Sequence, residues 1–517
     1  MTSSLYAADR TDVPLKNWGG FSIQRSWVYD ALEKIVLAGL AERVVLNTKP
    51  LSRVEAARVV AEAVRRIRDD QYGDYNHRGY LEETVYHLVE EFGPELAEMG
   101  VRTPLNREAR RGFLSFRPVE HTQFGIGLSS RSRRLINDFG QFDEKGGNPS
   151  AAFDGRVQLG DYLSFYYEPQ VSWDAESYEA KLMSGYTKFT FRNIELMAGR
   201  ESVWWGPGYR GSMSFSNNAF PLDQVRVGSA EPFRLPWYFK LLGPIKISTF
   251  VAQLDEHRDF PNAKVSGLRI ALAPRPRLEI GFNRIFQFGG DGKPSVKPAK
   301  FIDLFFFRRG CDEETPDNPL CINNVLSIDA TVRLPDVNRY IPLARDMALY
   351  FDFGWDDTQG GDIIPQKPGG IAGIFLTGFL GDPQMDFRFE YARTSNIQFN
   401  HVVYTSGFTN RGAVLSHFIG TDGRDIYARV SRWMNRDLHL GLQASHSQIG
   451  RVTSSVGAPK EQRTGFGFDV SYRFSNQSSL FLGYEFAKVK DRDFVLGKSA
   501  NDHLFQLEFS RSFDFEW

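Results

Sequence analysis

The chain has 517 residues, of which 24% are charged, with 62 lysines and arginines against 63 aspartates and glutamates and a net charge of −1. Because these charges balance, no global field points to a nucleic-acid partner. The mean hydropathy is −0.36, and no apolar run approaches the ~18 residues that a spanning helix needs, which excludes a helical membrane protein. Phenylalanine is the outlier, with 43 residues beside 20 tyrosines and 9 tryptophans, and aromatic residues favour strands and membrane interfaces.

The amino-terminal region, residues 1–112, has a helical period. After Pro50, Ser52-Arg53-Val54-Glu55 matches a capping box, in which the Ser52 hydroxyl bonds the Glu55 amide and Glu55 reaches back. A third helix is predicted over Glu82–Met99, with a break at Gly93-Pro94. The apolar residues of the first helix recur at helical spacing: Trp27, Leu32, Ile35, Val36 and Leu40. The helices form a small bundle without a catalytic constellation, so a structural cap or plug is predicted.

From residue 113 to residue 517 the period changes to two, which is typical of β-strands. In one segment Met385, Phe387, Phe389 and Tyr391 alternate with charged residues. Charge recurs on the second face of several strands, which a packed apolar core would not tolerate and a wide hydrated lumen would. The pattern predicts a large antiparallel transmembrane β-barrel.

Turn signals permit a topology for this barrel. Eight short connections alternate with nine long ones, and together they join about eighteen strands. An even count puts both barrel ends on one side, the periplasm, so the long loops face outward and the helical bundle lies at the periplasmic mouth. The third long connection spans residues 204–234, and a short one follows at Gly243-Pro244. No signal peptide precedes Tyr6, and an outer-membrane protein needs one, so we expect that it was trimmed or that the start is misassigned.

The densest loop is the third. It contains Trp204-Trp205-Gly206-Pro207-Gly208-Tyr209-Arg210, then Ser216-Asn217-Asn218-Ala219, then Glu231-Pro232-Phe233. Paired tryptophans and a nearby tyrosine stack on sugar rings, while arginine, asparagine and glutamate bind hydroxyls or carboxylates. The alternative is that these aromatic residues pack the loop into the barrel mouth, with Gly-Pro-Gly shaping a tight turn. The chemistry alone favours packing.

The two cysteines, Cys311 and Cys321, flank a polar loop with a spacing that suits a disulfide in an oxidising compartment. Two cysteines with no histidine between them make a weak zinc site. The four carboxylates between them could hold Ca²⁺, but a solvated acidic loop is favoured. No metal and no cofactor is predicted.

The carboxy-terminal strand has one apolar and one polar face. Trp517 ends the chain, and only Arg511 interrupts the apolar row. A closed barrel in a bacterial outer membrane commonly ends in this way, because lipid contacts one face and the lumen contacts the other. The apolar face holds Phe505, Leu507, Phe509, Phe513, Phe515 and Trp517.

The tryptophan motif with its two following segments strongly resembles the capsule assembly Wzi family. The segment from Arg411 to Asp425, with His417 and Asp422 within it, resembles the R-G-x-x-x-x-H-x-x-G-x-D stretch of the same family. Pro50-Leu51-Ser52-Arg53-Val54-Glu55 matches the family's helical region, so the resemblance covers nearly the whole chain.

The resemblance implies an eighteen-stranded outer-membrane barrel whose lumen is occluded by a periplasmic helical bundle. It also implies an outer surface that binds capsular polysaccharide or exopolysaccharide, in a protein that assembles the capsule and makes no bonds. Outer-membrane lipids and, as a possibility, a periplasmic polysaccharide export protein are the other expected partners. The loop with Cys311 and Cys321 does not map to the family, and no motif identifies individual sugar contacts.

Three functions are compared. The first, a surface lectin that anchors an exported polysaccharide, is preferred; the second is an export conduit working with a periplasmic export protein. The third, an enzyme, needs a nucleophile, a histidine and an acid, and Ser416, His417 and Asp422 or Ser445, His446 and Ser447 are candidates. Adjacent residues in a strand point to opposite faces, which argues against such pairs. The predicted sugar-binding residues are Trp204, Trp205, Tyr209, Arg210 and Glu231, followed by Arg411, His417, Asp422 and Arg424.

Overall fold

The computed structural model shows a closed barrel of antiparallel strands with a helical segment at one end. It describes residues 9–18, 26–69, 79–101, 113–173, 177–294, 296, 322–356, 367–453, 457–475 and 477–513. The 18 barrel strands, numbered in chain order, are β1 (Leu114–Ser129), β2 (Gly146–Leu159), β3 (Leu163–Trp173), β4 (Tyr178–Phe191), β5 (Ile194–Glu201), β6 (Leu222–Ser229), β7 (Ile245–Gln253), β8 (Lys264–Arg275), β9 (Leu278–Phe288), β10 (Asn323–Leu334), β11 (Asp346–Asp356), β12 (Gly369–Thr377), β13 (Met385–Arg393), β14 (Arg424–Trp433), β15 (Leu438–Ile449), β16 (Glu461–Ser475), β17 (Ser478–Lys490) and β18 (Ala500–Ser512). Each strand pairs with its neighbours in the chain, and β18 pairs with β1 to close the barrel. The predicted fold class and strand number are confirmed.

The period of two arises because one face of each strand points into the barrel and the other points outward. On β13, Asp386, Arg388 and Glu390 are buried inside, whereas Phe389 points outward and is partly exposed. The inward charges are buried because the helical segment and a long loop cover them. The lumen is therefore largely filled, which corrects the prediction of a wide hydrated lumen.

The connections divide between the two ends of the barrel. Those that follow odd-numbered strands define the long-loop end, and those that follow even-numbered strands define the short-turn end. Most of the former are the longer, but the β3–β4 connection (residues 174–177) is short and the β6–β7 connection (residues 230–244) is long. The first long loop spans residues 130–145, the third 202–221 and the seventh 394–423. Because β1 begins and β18 ends at the short-turn end, the helical segment is attached there. Cys311, Cys321 and the residues after Phe513 lie outside the described residues, so the disulfide stays a prediction.

One predicted connection is wrong. Residues 204–234 do not form a single loop, because strand β6 begins at Leu222 and carries the chain back to the short-turn end. The following segment contains a 3-10 helix, Trp237–Leu242, instead of a strand. Pro232 and Pro236 explain this difference, since proline lacks the amide that a central ladder requires.

The helical segment consists of α1 (Trp27–Leu37), α2 (Arg53–Arg68), α3 (Gly79–Glu91) and α4 (Gly93–Glu98). The predicted break of the last helix at Gly93-Pro94 is present, and proline occupies the first turn of α4, where its missing amide costs no hydrogen bond. Apolar residues of all four helices share one buried core. In the described part of the chain, no helix is both long and apolar enough to cross a membrane.

Only half of the predicted capping box forms at the start of α2. The Ser52 hydroxyl accepts the Glu55 amide at 3.1 Å, as predicted. The Glu55 carboxylate does not turn back to Ser52, because it forms a buried ion pair with Lys246 of β7. Lys246 thus binds the carboxylate that would complete the cap, and this ion pair attaches α2 to the barrel wall.

The helical segment lies inside the short-turn end of the barrel. Lys34 of α1 forms an ion pair with Asp386 at 2.9 Å, and Asn47 donates its amide to Glu279 of β9 at 2.7 Å. The strand Thr48–Lys49 then pairs with Trp204–Trp205 of the third long loop. The helical segment and this loop therefore meet within the lumen.

Candidate functional site

The third long loop folds into the barrel instead of projecting from it. The Gly206 amide donates to the carbonyl of Asn47 at 2.9 Å, which extends the pairing with the amino-terminal strand. Gly206 has a φ of 136°, and a Cβ there would lie 2.7 Å from Oδ2 of Asp352 on β11. Only glycine allows the loop to approach the barrel wall so closely.

Trp204 and Trp205, two of the predicted sugar-binding residues, are 0% and 1% exposed. Trp204 belongs to the core of the helical segment. The Trp205 ring packs edge-on against Phe215 and Phe250, at centroid distances of 5.5 and 5.4 Å. In this arrangement neither ring offers a face to a ligand, and the packing alternative describes both residues.

Tyr209 and Arg210 form the innermost tip of the loop. Glu390 accepts both backbone amides, at 2.7 and 2.9 Å, and Arg210 forms an ion pair with Asp425 at 3.2 Å. The Arg210 guanidinium also lies over the Tyr427 ring at 4.7 Å. Burial disfavours its charge, but Asp425 more than offsets this and raises the pKa of Arg210 above its ordinary value. The tip is therefore fixed by carboxylates of the wall.

The seventh long loop packs on the third. The Ser216 amide donates to the Leu415 carbonyl at 2.9 Å, and the hydroxyl groups of Ser216 and Ser416 each donate to a backbone carbonyl of the other loop. His417 is completely buried beside Gly211, where a Cβ would lie 2.7 Å from the imidazole ring. The two loops form one packed layer at the long-loop end.

Burial lowers the pKa of His417 to about 4, with Asp425 opposing the shift and Arg210 adding to it. Its ordinary value is near 6.5, so the folded protein keeps this imidazole neutral while the unfolded chain takes up a proton between pH 6.5 and 4. Stability contributed by His417 is therefore present above pH 6.5 and is lost as the pH falls towards 4.

We expect the wild-type protein to lose about 2 kcal/mol of unfolding free energy from His417 alone between pH 7 and pH 5. A His417→Gln variant keeps a neutral polar side chain, so between pH 7 and pH 5 its unfolding free energy should fall by about 2 kcal/mol less than that of the wild type. Urea unfolding in detergent at both pH values measures the difference. Equal pH dependence of the two proteins would show that His417 titrates normally.

Three predicted residues lie at the outer rim. Arg411 is exposed and lies over the Phe220 ring at 3.8 Å. Asp422 is partly exposed and forms an ion pair with Lys460 at 2.6 Å, while Arg424 at the start of β14 is exposed. These side chains are accessible from the long-loop end.

Glu231 lies at the opposite end, which corrects its predicted place in the third long loop. Its amide donates to the Asn193 side chain at 2.9 Å in a short turn, and its carboxylate pairs with Arg58 of α2 at 2.7 Å. The misplacement follows directly from the unrecognised strand β6, which moves Glu231 across the barrel.

A polar cavity of about 330 Å³, here called the luminal cleft, lies between the first long loop and the barrel wall. Phe142, Trp173 and Glu179 at its outer edge are exposed, so it opens at the long-loop end. Four inward glutamines line its wall: Gln123, Gln170, Gln443 and Gln506. This site was not predicted from the sequence, although the polar faces of β1, β3, β15 and β18 line it.

Arg133 and Asp143 contribute unmatched hydrogen-bonding atoms to the luminal cleft. They are paired residues of a short hairpin in the first long loop and are 6% and 8% exposed. Arg133 donates to Glu485 at 2.9 Å, but its Nε and Nη1 have no hydrogen-bond partner among the described residues, nor does Oδ2 of Asp143. Burial and the charge of Asp138 raise the pKa of Asp143 to about 6. The cleft is thus bordered by two residues that carry unmatched donors and an unmatched acceptor, and these atoms are themselves buried.

The predicted catalytic alternative gains no support from the contacts, and the loop between Cys311 and Cys321, where a metal was considered, lies outside the described residues. The Ser416 hydroxyl donates to Ser214, and Asp422 pairs with Lys460, so these two side chains do not flank His417 as a relay. Glu120, His121 and Asp154 lie together. Arg156, however, pairs with Glu120, and His121 lies 3.0 Å from Asp154, so the group is already balanced by its own cations.

A family model described as capsule assembly protein Wzi matches residues 120–504. An uncharacterised 55.8 kDa protein in the cps region of Klebsiella pneumoniae is 32% identical over 134 residues, and the match covers 26% of each chain. Only about a quarter of that curated relative's length is therefore spanned. A solved structure of Wzi from Escherichia coli matches with a TM-score of 0.71 and 18% identity, covering 96% of this chain and 100% of that one. That protein is described as an outer membrane protein involved in group 1 capsule assembly and as a carbohydrate-binding β-barrel; at this identity the likeness shows the fold alone. Because the family model spans most of the chain, the protein belongs to the capsule assembly Wzi family.

Proposed function

We propose that this protein is an outer-membrane barrel that binds capsular polysaccharide or exopolysaccharide at its long-loop end and holds the polymer on the cell surface. The observation that carries the proposal is the luminal cleft, which opens at that end, is lined by polar side chains and is bordered by buried unmatched donors and an unmatched acceptor. The family membership and the carbohydrate binding described for the Escherichia coli relative support the same function.

The strand count and the loop lengths support the proposed orientation. With 18 strands the barrel begins and ends on one side, and in outer-membrane barrels the short turns are periplasmic while the longer loops are extracellular. The helical segment is then periplasmic and the luminal cleft faces the exterior. The outward aromatic and aliphatic side chains contact lipid.

A saccharide suits the cleft because each hydroxyl group both donates and accepts hydrogen bonds. Arg133 supplies donors, Asp143 supplies an acceptor, and the glutamines supply both. The exposed Trp173 at the rim offers a ring on which a sugar stacks. Individual contacts are modest, and repetition along a polymer supplies overall affinity by avidity.

The predicted residues divide between two roles in this proposal. Arg411, Asp422 and Arg424 at the rim contact the polymer directly. The buried members hold the third and seventh long loops in place: Trp204, Trp205, Tyr209, Arg210 and His417. Glu231 has no part at the binding end. The protein carries out no bond-making step.

The test is binding of purified capsular polysaccharide to the detergent-solubilised barrel. We expect Arg133→Ala to weaken binding about tenfold, the effect of losing hydrogen bonds to one charged group. Arg131→Ala is the matched control, since Arg131 belongs to the same loop and is half exposed outside the cleft. It should change affinity by less than about twofold.

Heat-modifiable migration on gels verifies that each variant is a folded barrel. If Arg133→Ala is folded and binds the polymer as the wild type does, the cleft is not the binding site. If wild type itself does not retain the polymer, the anchoring function is wrong and the export alternative gains weight. That alternative needs a continuous polar path and a periplasmic export protein to supply it.

A further inference from the structure

A second cavity lies below the luminal cleft. It has a volume of about 90 Å³ and is placed between α1, α3 and the inner wall at the short-turn end. Asp30, Ala31 and Thr84 at its helical side are partly exposed, so it is reached from the short-turn end. We call it the short-turn cavity.

Residues that are neighbours in the chain or paired in the wall line different cavities, so the two cavities approach each other here. Arg210 lines the luminal cleft, whereas Tyr209, its neighbour in the chain, lines the short-turn cavity. The same division occurs in the wall, where Asp469 faces the cleft and Arg429 faces the short-turn cavity, with 2.9 Å between Nη2 and Oδ1. The barrier between the two ends is therefore local at this side of the lumen.

Two wall carboxylates hold the loop tip in this layer. Glu390 accepts the backbone amides of Tyr209 and Arg210, and Asp425 accepts the Arg210 side chain. The flanking glycines, Gly206 and Gly211, have φ angles of 136° and 156°. The tip thus lies between two glycines, and charge-assisted hydrogen bonds attach it to β13 and to the start of β14.

Tyrosine rings and an arginine guanidinium pack around the tip. Tyr209 stacks on Tyr427 at a centroid distance of 6.0 Å, and the Arg388 guanidinium lies over the Tyr209 ring at 4.5 Å. The Tyr427 hydroxyl donates to Gln443, which lines the cleft, at 2.8 Å. These groups fill the space through which the cavities would otherwise join.

We propose that the Tyr209–Arg210 tip is the barrier in a path for ions and small hydrophilic solutes that joins the luminal cleft to the short-turn cavity. This activity is separate from polymer binding, because it concerns solutes that cross the barrel and not a chain held at its mouth. The luminal cleft is lined mainly by polar side chains. The short-turn cavity combines aromatic side chains with charged ones, among them Asp30, Lys34 and Arg429, and these charged groups suit hydrated solutes. Among the described residues, displacing the tip joins the two cavities.

Single-channel recording in planar bilayers tests this inference with the full chain. Glu390→Gln combined with Asp425→Asn removes the charges that fasten the tip, and Tyr209→Ala combined with Arg210→Ala shortens the barrier itself. Both double variants should raise the mean conductance at least about fivefold over wild type. Asp502→Asn is the matched control, because Asp502 is a buried inward carboxylate of β18 at the long-loop end, paired with Arg463 and away from the tip.

The control should conduct as the wild type does. Heat-modifiable migration on gels verifies folding. If a double variant does not fold, the single Tyr209→Ala variant is recorded in its place, because it keeps every wall carboxylate paired. Folded tip variants that remain at the wild-type conductance would overturn the inference. Binding of capsular polysaccharide is measured on the same samples. A barrel that stays closed, which contradicts this inference, is then distinguished from a barrel that does not bind polymer, which contradicts the proposed function.

Discussion

Replacing Trp204 with alanine should destabilise the barrel by about 3–5 kcal/mol, the range for removing a large buried aromatic side chain. Trp204 is completely buried in the core of the helical segment, although it belongs to a barrel loop. Its backbone pairs with Lys49 of the amino-terminal strand. The cavity left by the substitution therefore lies where the loop and the plug meet, and both elements lose their shared packing. Urea unfolding in detergent, followed by circular dichroism, measures the loss.

Trp237→Ala is the matched control, because this tryptophan is 83% exposed at the short-turn end. It should change the unfolding free energy by less than about 1 kcal/mol. Similar losses in the two variants would show that Trp204 is not packed as described. Unchanged folding together with unchanged surface polymer in both Trp204→Ala and Trp205→Ala would remove the third long loop from the proposed function altogether.

The barrel was predictable from sequence because its physical constraint acts on every second residue. A strand with lipid on one side and charge on the other, such as β13 with Phe389 opposite Arg388, produces a pattern that other folds rarely require. The pattern is weakest where strands are short. Strand β6 has only eight residues, Leu222–Ser229, next to a loop and a proline-rich turn, so its short pattern was predicted to be part of the loop.

The site was less predictable because the exposure of its aromatic residues depends on the path of the loop that carries them. Aromatic residues at a barrel mouth bind sugars when exposed and pack when buried, and sequence does not distinguish the two for Trp204 and Trp205. Glycine at position 206 was consistent with a tight turn, but its role is to let the loop reach Asp352 across the lumen. The luminal cleft was missed because its lining comes from distant elements, from Lys16 to Glu508, that only the closed barrel brings together.

The inward charges have a different role in this filled barrel from the one predicted for a hydrated lumen, because they are paired and not solvated. In water, each charge would be solvated and nearly independent of its neighbours. Here Lys34, Glu55 and Asn47 of the helical segment each bind a charged side chain of the wall. The polar face of the barrel is therefore a complementary surface for its own plug, and the plug is held by many specific pairs.

The second large effect is expected at Arg269, which joins the wall to the plug. Its guanidinium forms an ion pair with Asp329, with a shortest distance of 2.6 Å, and its Nε donates to the Thr48 hydroxyl at 2.6 Å. Both side chains of the pair are 0% exposed. Arg269→Ala leaves the Asp329 carboxylate buried without its cation, which should cost about 3–5 kcal/mol in unfolding free energy.

The exposed pair Arg200–Asp223 is the control, with a distance of 2.6 Å and side-chain exposures of 22% and 60%. Arg200→Ala should cost less than about 1 kcal/mol, because water screens the pair and solvates the remaining carboxylate. Replacing both buried partners together, by Arg269→Met and Asp329→Leu, removes the unpaired Asp329 carboxylate. This double replacement should restore most of the stability lost in Arg269→Ala. If the double replacement is instead as unstable as Arg269→Ala, the loss comes from the contact between Arg269 and Thr48. The plug would then depend on that hydrogen bond more than on the charge of the wall.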